Sequence, residues 1–156
     1  MCIRDSPYHL LREEMQEFIL DKLQLLIERK LIKGIGENGT EYTVIAQILD
    51  LPKEILRLIQ KFDFTKKNPK LIYINTGETM ISLQDSILVT FLNLAGFDIL
   101  FFVPTGYQSV ENYFAEKLME EHQIGEYKYD MQVPDLNNIS TNSTRPSWRR
   151  KLFRRG

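Results

Sequence analysis

Leu71-Ile72-Tyr73-Ile74-Asn75-Thr76-Gly77-Glu78 and Phe97-Asp98-Ile99-Leu100-Phe101-Phe102-Val103-Pro104-Thr105-Gly106 are the stretches whose reading decides the fold. Leu71–Ile74 and Ile99–Val103 are short, unbroken apolar runs. Such runs suit strands covered on both faces, as in a parallel sheet. Between them Ser82 and Asp85 have the spacing of a helix cap, and Ile87, Leu88, Phe91, Leu92 and Ala95 mark a largely buried helix that Gly96 ends. Pro104 and Thr105-Gly106 stop the second strand, and a further helix is expected from about Gln108 to His122. The order is β-α-β-α, a short Rossmann-like α/β unit with a right-handed crossover between parallel strands. Tyr127–Val133 alternates weakly and is expected to add an edge strand.

Upstream, Leu10, Leu11, Met15, Phe18, Ile19, Leu23, Leu26, Ile27 and Leu31 recur at three- and four-residue steps. That spacing predicts one long amphipathic helix over Pro7–Lys33, ended by Gly34. Gly34-Ile35-Gly36-Glu37-Asn38-Gly39 spells G-x-G-x-x-G but follows a helix. A dinucleotide site needs it to follow a strand, so a turn is the expectation. Two short helices then read from Tyr42–Leu49 and from Pro52 to Phe62. They resemble a helix-turn-helix in outline but lack the basic face that DNA demands. The expected organisation is a helical segment over 7–64, the α/β unit over 70–133 and a disordered basic tail over 134–156. Residues 1–6 (Met1-Cys2-Ile3-Arg4-Asp5-Ser6) read as adapter-derived and outside the fold.

Composition narrows the chemistry. The chain has 156 residues, 43% hydrophobic and 26% charged, the range of one globular domain. Residues 136–156 hold six of the 20 Lys/Arg and none of the 21 Asp/Glu, leaving a net charge of −7 over 1–135. An acidic body argues against nucleic-acid binding. Cys2 is the single cysteine, and His9 and His122 stand in no ligand pattern, so no metal site is expected. Ile87–Val103 is interrupted by Asn93, Gly96 and Asp98, so no transmembrane segment is expected.

Both strand ends carry Thr-Gly, and in open parallel sheets ligands bind beyond the carboxyl ends of strands. Asn75, Thr76, Gly77, Glu78, Thr105, Gly106, Tyr107 and Gln108 are therefore the candidate ligand-binding residues, with Ser109 and Glu111 close behind. Glycine lets a ligand approach the backbone, and a Thr hydroxyl donates without adding charge. Turn and cap chemistry explains the same residues equally well. Glu78, Asp85 and Asp98 are the available carboxylates for acid–base work, although Asp85 is accounted for as a cap; no nucleophile–base set can be assembled. In the tail, Trp148, Arg149, Arg150 and Lys151 are candidate partner-binding residues, for an acidic protein or an anionic surface.

Leu71–Glu78, Ser82-Leu83-Gln84-Asp85-Ser86-Ile87 and Phe97–Gln108, with Leu51–Phe64 before them, resemble the C-terminal part of the YceG-like family, best over residues 40–115. The resemblance implies a cytoplasmic bacterial protein of tellurite-resistance-type stress operons, a component of a biosynthetic module for a nucleoside- or sugar-like metabolite. It implies a longer protein, whose N-terminal part would be this chain's first partner, with other stress-operon proteins beyond it. Two functions follow as expectations. One is binding of a nucleotide, nucleotide-sugar or phosphate at the strand-end loops. The alternative is a non-catalytic interaction module that assembles stress-operon proteins through an exposed stripe of Leu11, Met15, Phe18 and Leu26. Neither the resemblance nor the residues name a cofactor or a catalytic residue.

Overall fold

The structure is a computed structural model that describes residues 6–61, 67–76, 80–107 and 110–132. It opens with a 3-10 turn over Pro7–Leu10, capped by Ser6, whose hydroxyl accepts from the Tyr8 amide and donates to the Leu49 carbonyl. Ser6, set aside in the sequence reading, is buried. Helix α1 spans Glu13–Glu28, α2 Thr40–Leu49 and α3 Lys53–Lys61; β1 is Lys70–Ile74, α4 Leu83–Leu94 and β2 Asp98–Phe102.

The expected 27-residue helix is thus broken at both ends. At its C-terminus the break has a clear cause. The Lys30 amide donates to Ile27 and the Leu31 amide to Leu26, and Lys30 takes a φ of 51°. This double bond pattern with a left-handed residue is a Schellman ending, built here on lysine where glycine is usual. It turns the chain four residues before Gly34, so that Leu31, Ile32 and Ile35 enter the core. Gly34, Gly36 and Gly39 all have positive φ in the turn into α2, as expected of a turn.

Strands β1 and β2 are parallel, with Lys70 beside Asp98 and Ile74 beside Phe102. Helix α4 is the crossover and packs against β2, while α1 and α2 pack on α4 and on each other. Its start and stop are those read from sequence. The Ser82 hydroxyl accepts the Asp85 amide, and at the other end Gly96, at φ 99°, donates to Asn93 while Phe97 donates to Leu92, a second Schellman pair. Ile87, Phe91 and Leu92 are fully enclosed and tie α4 to Ile19, Leu26, Val44 and Ile48 from α1 and α2.

Three expectations are corrected. Residues 110–122 form no helix among the described residues. Their backbone is committed elsewhere, since Lys33 donates to the Tyr113 carbonyl and Ala115 to the Leu31 carbonyl around an Ile32–Phe114 bridge. A residue whose amide and carbonyl bond across the fold cannot also serve an i to i−4 ladder. The unit is therefore β-α-β, without the second helix. Residues 127–132 form no edge strand; residue 133 lies outside the described residues. Among the described residues the sheet is covered on one face: Leu71, Tyr73, Ile99 and Phe101 pack inward, whereas Ile72, Ile74, Leu100 and Phe102 are exposed. Apolarity on both faces was legible in the sequence, but the covering of the second face is not among the described residues.

Candidate functional site

The parallel pairing brings the two candidate loops to one edge. The Asn75 amide donates to the Phe102 carbonyl at 2.9 Å, so Asn75 and Thr76 leave β1 beside the point where Val103-Pro104-Thr105 leaves β2. The Gly106 amide closes a tight turn on Val103, with φ of 71° at Gly106. Gly77, Glu78 and Gln108 lie outside the described residues, as do Ser109 and the tail candidates Trp148, Arg149, Arg150 and Lys151.

The two loops differ in what they leave unsatisfied. At the start of α4 the polar groups are consumed locally: the Ser82 hydroxyl donates to the Asp85 carboxylate at 2.7 Å, and the Ser86 hydroxyl to the Ser82 carbonyl. Asp85 also faces Tyr73, whose hydroxyl is pushed above its usual pKa by burial first and by the Asp85 charge and hydrogen bond next. With a carboxylate already on it, this helix end repels an added anion. The second loop is different. Thr105 is 5% exposed and its hydroxyl has no hydrogen-bond partner among the described residues; Glu111 Oε1, six residues downstream and half-buried, is likewise enclosed and unpartnered. Unpaired buried polar groups are uncommon in folded proteins, because each one carries its full desolvation cost.

Tyr127, expected in an edge strand, has another task in the structure. A Cβ placed on Gly106 would stand 2.2 Å from Tyr127 Cε1, so the ring lies directly on the glycine. The Lys128 amide donates to the Pro104 carbonyl at 2.8 Å, and Tyr129 meets Tyr107 edge to face with centroids 6.5 Å apart. Residues 127–129 thus form a strap over the turn that follows β2. The tyrosines at alternate positions after Gly125 were the available signal, and it reads equally well as a strand.

The remaining candidates separate from this edge. Asp98 stands at the opposite, amino-terminal end of the sheet, where bonds from Lys70 first and Asn68 next hold its carboxyl below the usual range. It cannot pair with Asp85 as an acid–base couple across the loop edge. Glu41 lowers its own pKa by accepting from backbone amides, its own and that of Gly36 at 3.2 Å, so the amide of the G-x-G-x-x-G turn is spent on the chain's own carboxylate. His9 Nδ1 contacts the Ser6 carbonyl and His122 lies 3.6 Å from Glu120. Among the described residues no cluster of His, Cys, Asp and Glu is set to hold a metal ion. No helix among them is long and apolar enough to cross a membrane. The stripe expected to dock partners is turned inward: Leu26 is enclosed, and Leu11, Met15 and Phe18 pack on the core.

No solved structure matches this chain. A protein of Bacillus subtilis (strain 168) called "Uncharacterized protein YceG" is 31% identical over 93 residues, which are 58% of this chain and 17% of that protein. The chain therefore corresponds to under a fifth of that relative's length. The YceG domain description matches residues 3–144, most of the sequence, and on that match the chain belongs to the YceG family.

Proposed function

We propose that this chain is the C-terminal part of a cytoplasmic stress-response protein of the tellurite-resistance type, a component of a metabolite biosynthetic module. In this reading its strand-end edge holds a nucleotide, a nucleotide-sugar or a phosphate. The observation that carries the ligand reading is the buried, unpartnered hydroxyl of Thr105 at the carboxyl end of β2, next to Thr76 at the end of β1. A hydroxyl donor at a strand end suits an anionic or hydroxylated ligand, whose oxygens would accept the bond the protein leaves open. Glu111 Oε1 would take a ligand hydroxyl. Tyr127 lies on Gly106, the residue after Thr105, and in this reading residues 127–129 lift from Gly106 to admit the ligand.

The test is a thermal-shift screen of nucleotides, nucleotide sugars and phosphorylated sugars against the wild type, Thr76→Val and Thr105→Val. A single ligand class that raises Tm of the wild type but not of Thr105→Val supports the reading. A ligand at 100 times its Kd adds about 2.7 kcal/mol, well within detection. Equal shifts in wild type and Thr105→Val, or none with any compound, would remove it. The second reading, an interaction module, is favoured by one observation, the exposed apolar face of the sheet.

A further inference from the structure

Ile72 and Ile74 of β1 and Leu100 and Phe102 of β2 stand in register on the sheet face away from α4, at 57%, 39%, 51% and 47% exposure. All four are large and apolar, and strand alternation puts them on one surface. At the amino-terminal end of the same face Lys70 and Asp98 form an ion pair at 2.7 Å, which makes a polar border. Two strands paired in parallel with one face bare among the described residues are an incomplete layer, because parallel sheets are covered by helices on both sides.

The size of the face says what covers it. Two strands of five residues span about 17 Å by 10 Å, on the order of 200 Å² of flat face. A stable interface between separate molecules needs about 800 Å² from each partner. The face is too small to hold a second copy or a free protein by itself, but it fits one helix of the same polypeptide, whose tether replaces the missing area by effective concentration. Such a polypeptide is at hand, since four-fifths of the Bacillus subtilis relative lies outside the matched stretch. We propose that Ile72, Ile74, Leu100 and Phe102 seat an amphipathic helix from the part of a YceG polypeptide that lies outside these 156 residues. The helix would lay an apolar stripe along the strands and pass its polar side beyond Lys70 and Asp98. This inference rests on the sheet and on family membership, and it stands independently of any ligand at the strand ends.

The experiment places single thiols in a Cys2→Ser background: Leu100→Cys on the face, Lys70→Cys on its border and Ile87→Cys in the core. Each is measured for reaction with a thiol reagent in this chain alone and in a chimera in which the chain replaces the matching stretch of the Bacillus subtilis relative. The expected result is Leu100→Cys slowed about tenfold or more in the chimera, with Lys70→Cys unchanged and Ile87→Cys protected in both. Equal rates for Leu100→Cys with Ile87→Cys protected would overturn the proposal. A chimera that exposes Ile87→Cys would also count against it, because the rest of the polypeptide would then not accept this unit. Protection of Leu100→Cys in the isolated chain, with light scattering reporting a dimer, would assign the face to a second copy and overturn it too.

Discussion

Replacing Thr105 by valine should stabilise the protein, the reverse of what removing a hydrogen-bonding group usually does. Thr105 is enclosed, and its hydroxyl finds no partner. Valine has nearly the same shape and removes an unsatisfied donor whose desolvation costs about 1–3 kcal/mol. It also adds a buried methyl, worth about 0.8 kcal/mol. Local adjustment around the new methyl consumes part of that gain, leaving an expected net of about 1–2 kcal/mol. For a chain of this size that is a rise in Tm of roughly 3–6 °C. Thr105→Ser is the control: it keeps the hydroxyl, loses a methyl and should cost about 1 kcal/mol. Urea unfolding followed by far-UV circular dichroism, with the slope unchanged between variants, measures both. If Thr105→Val instead lost more than about 1 kcal/mol, the hydroxyl would have a bonding partner inside the fold. The strand end would then hold no vacant donor.

Other outcomes follow from single positions. Lys30→Gly should gain about 0.5 kcal/mol in the same urea assay, because glycine relieves the left-handed strain at φ 51° and gives back part of it as chain entropy in the unfolded state. Gly96→Ala should lose about 1 kcal/mol or more, since φ 99° closes the end of α4, and no loss would mean that the helix end rearranges freely. Phe91→Ala should cost about 3–5 kcal/mol and fall near the threshold of folding, as the ring is fully enclosed between the helices and the sheet. Asp98 has a depressed pKa, so its stabilising contribution is present above about pH 4 and is lost as pH falls through the lower folded value. Asp98→Asn should therefore flatten the acid limb of a Tm-against-pH profile, with a small amplitude because the Lys70 pair is exposed.

The candidate edge was legible because a parallel β-α-β order forces both strand ends to the same side, and the Thr-Gly pairs could be placed there without coordinates. What distinguishes the two loops was not legible. Ser82, Asp85 and Tyr73 satisfy one another at the first, while the Thr105 hydroxyl is left without a partner at the second. That difference depends on where side chains end up, which spacing along the chain does not report. Tyr127 belongs to the same class, since its contact with Gly106 joins residues about twenty positions apart.

Local chemistry in the sequence was enough to determine both strands, the Ser82 start and Gly96 stop of α4, and the turn at Gly34–Gly39, because caps, glycine conformation and apolar runs act over a few residues. Only the tertiary structure decided that α1 ends at Glu28 and that 110–122 is not a helix. The chain there is claimed by distant bonds instead: around the Ile32–Phe114 bridge the Lys33 amide donates to Tyr113 and the Ala115 amide to Leu31, and those bonds outweigh the local ladder. The sequence likewise determined that both faces of the sheet are apolar. Which face is covered among the described residues was settled by α4, a single crossover helix that can pack on only one side.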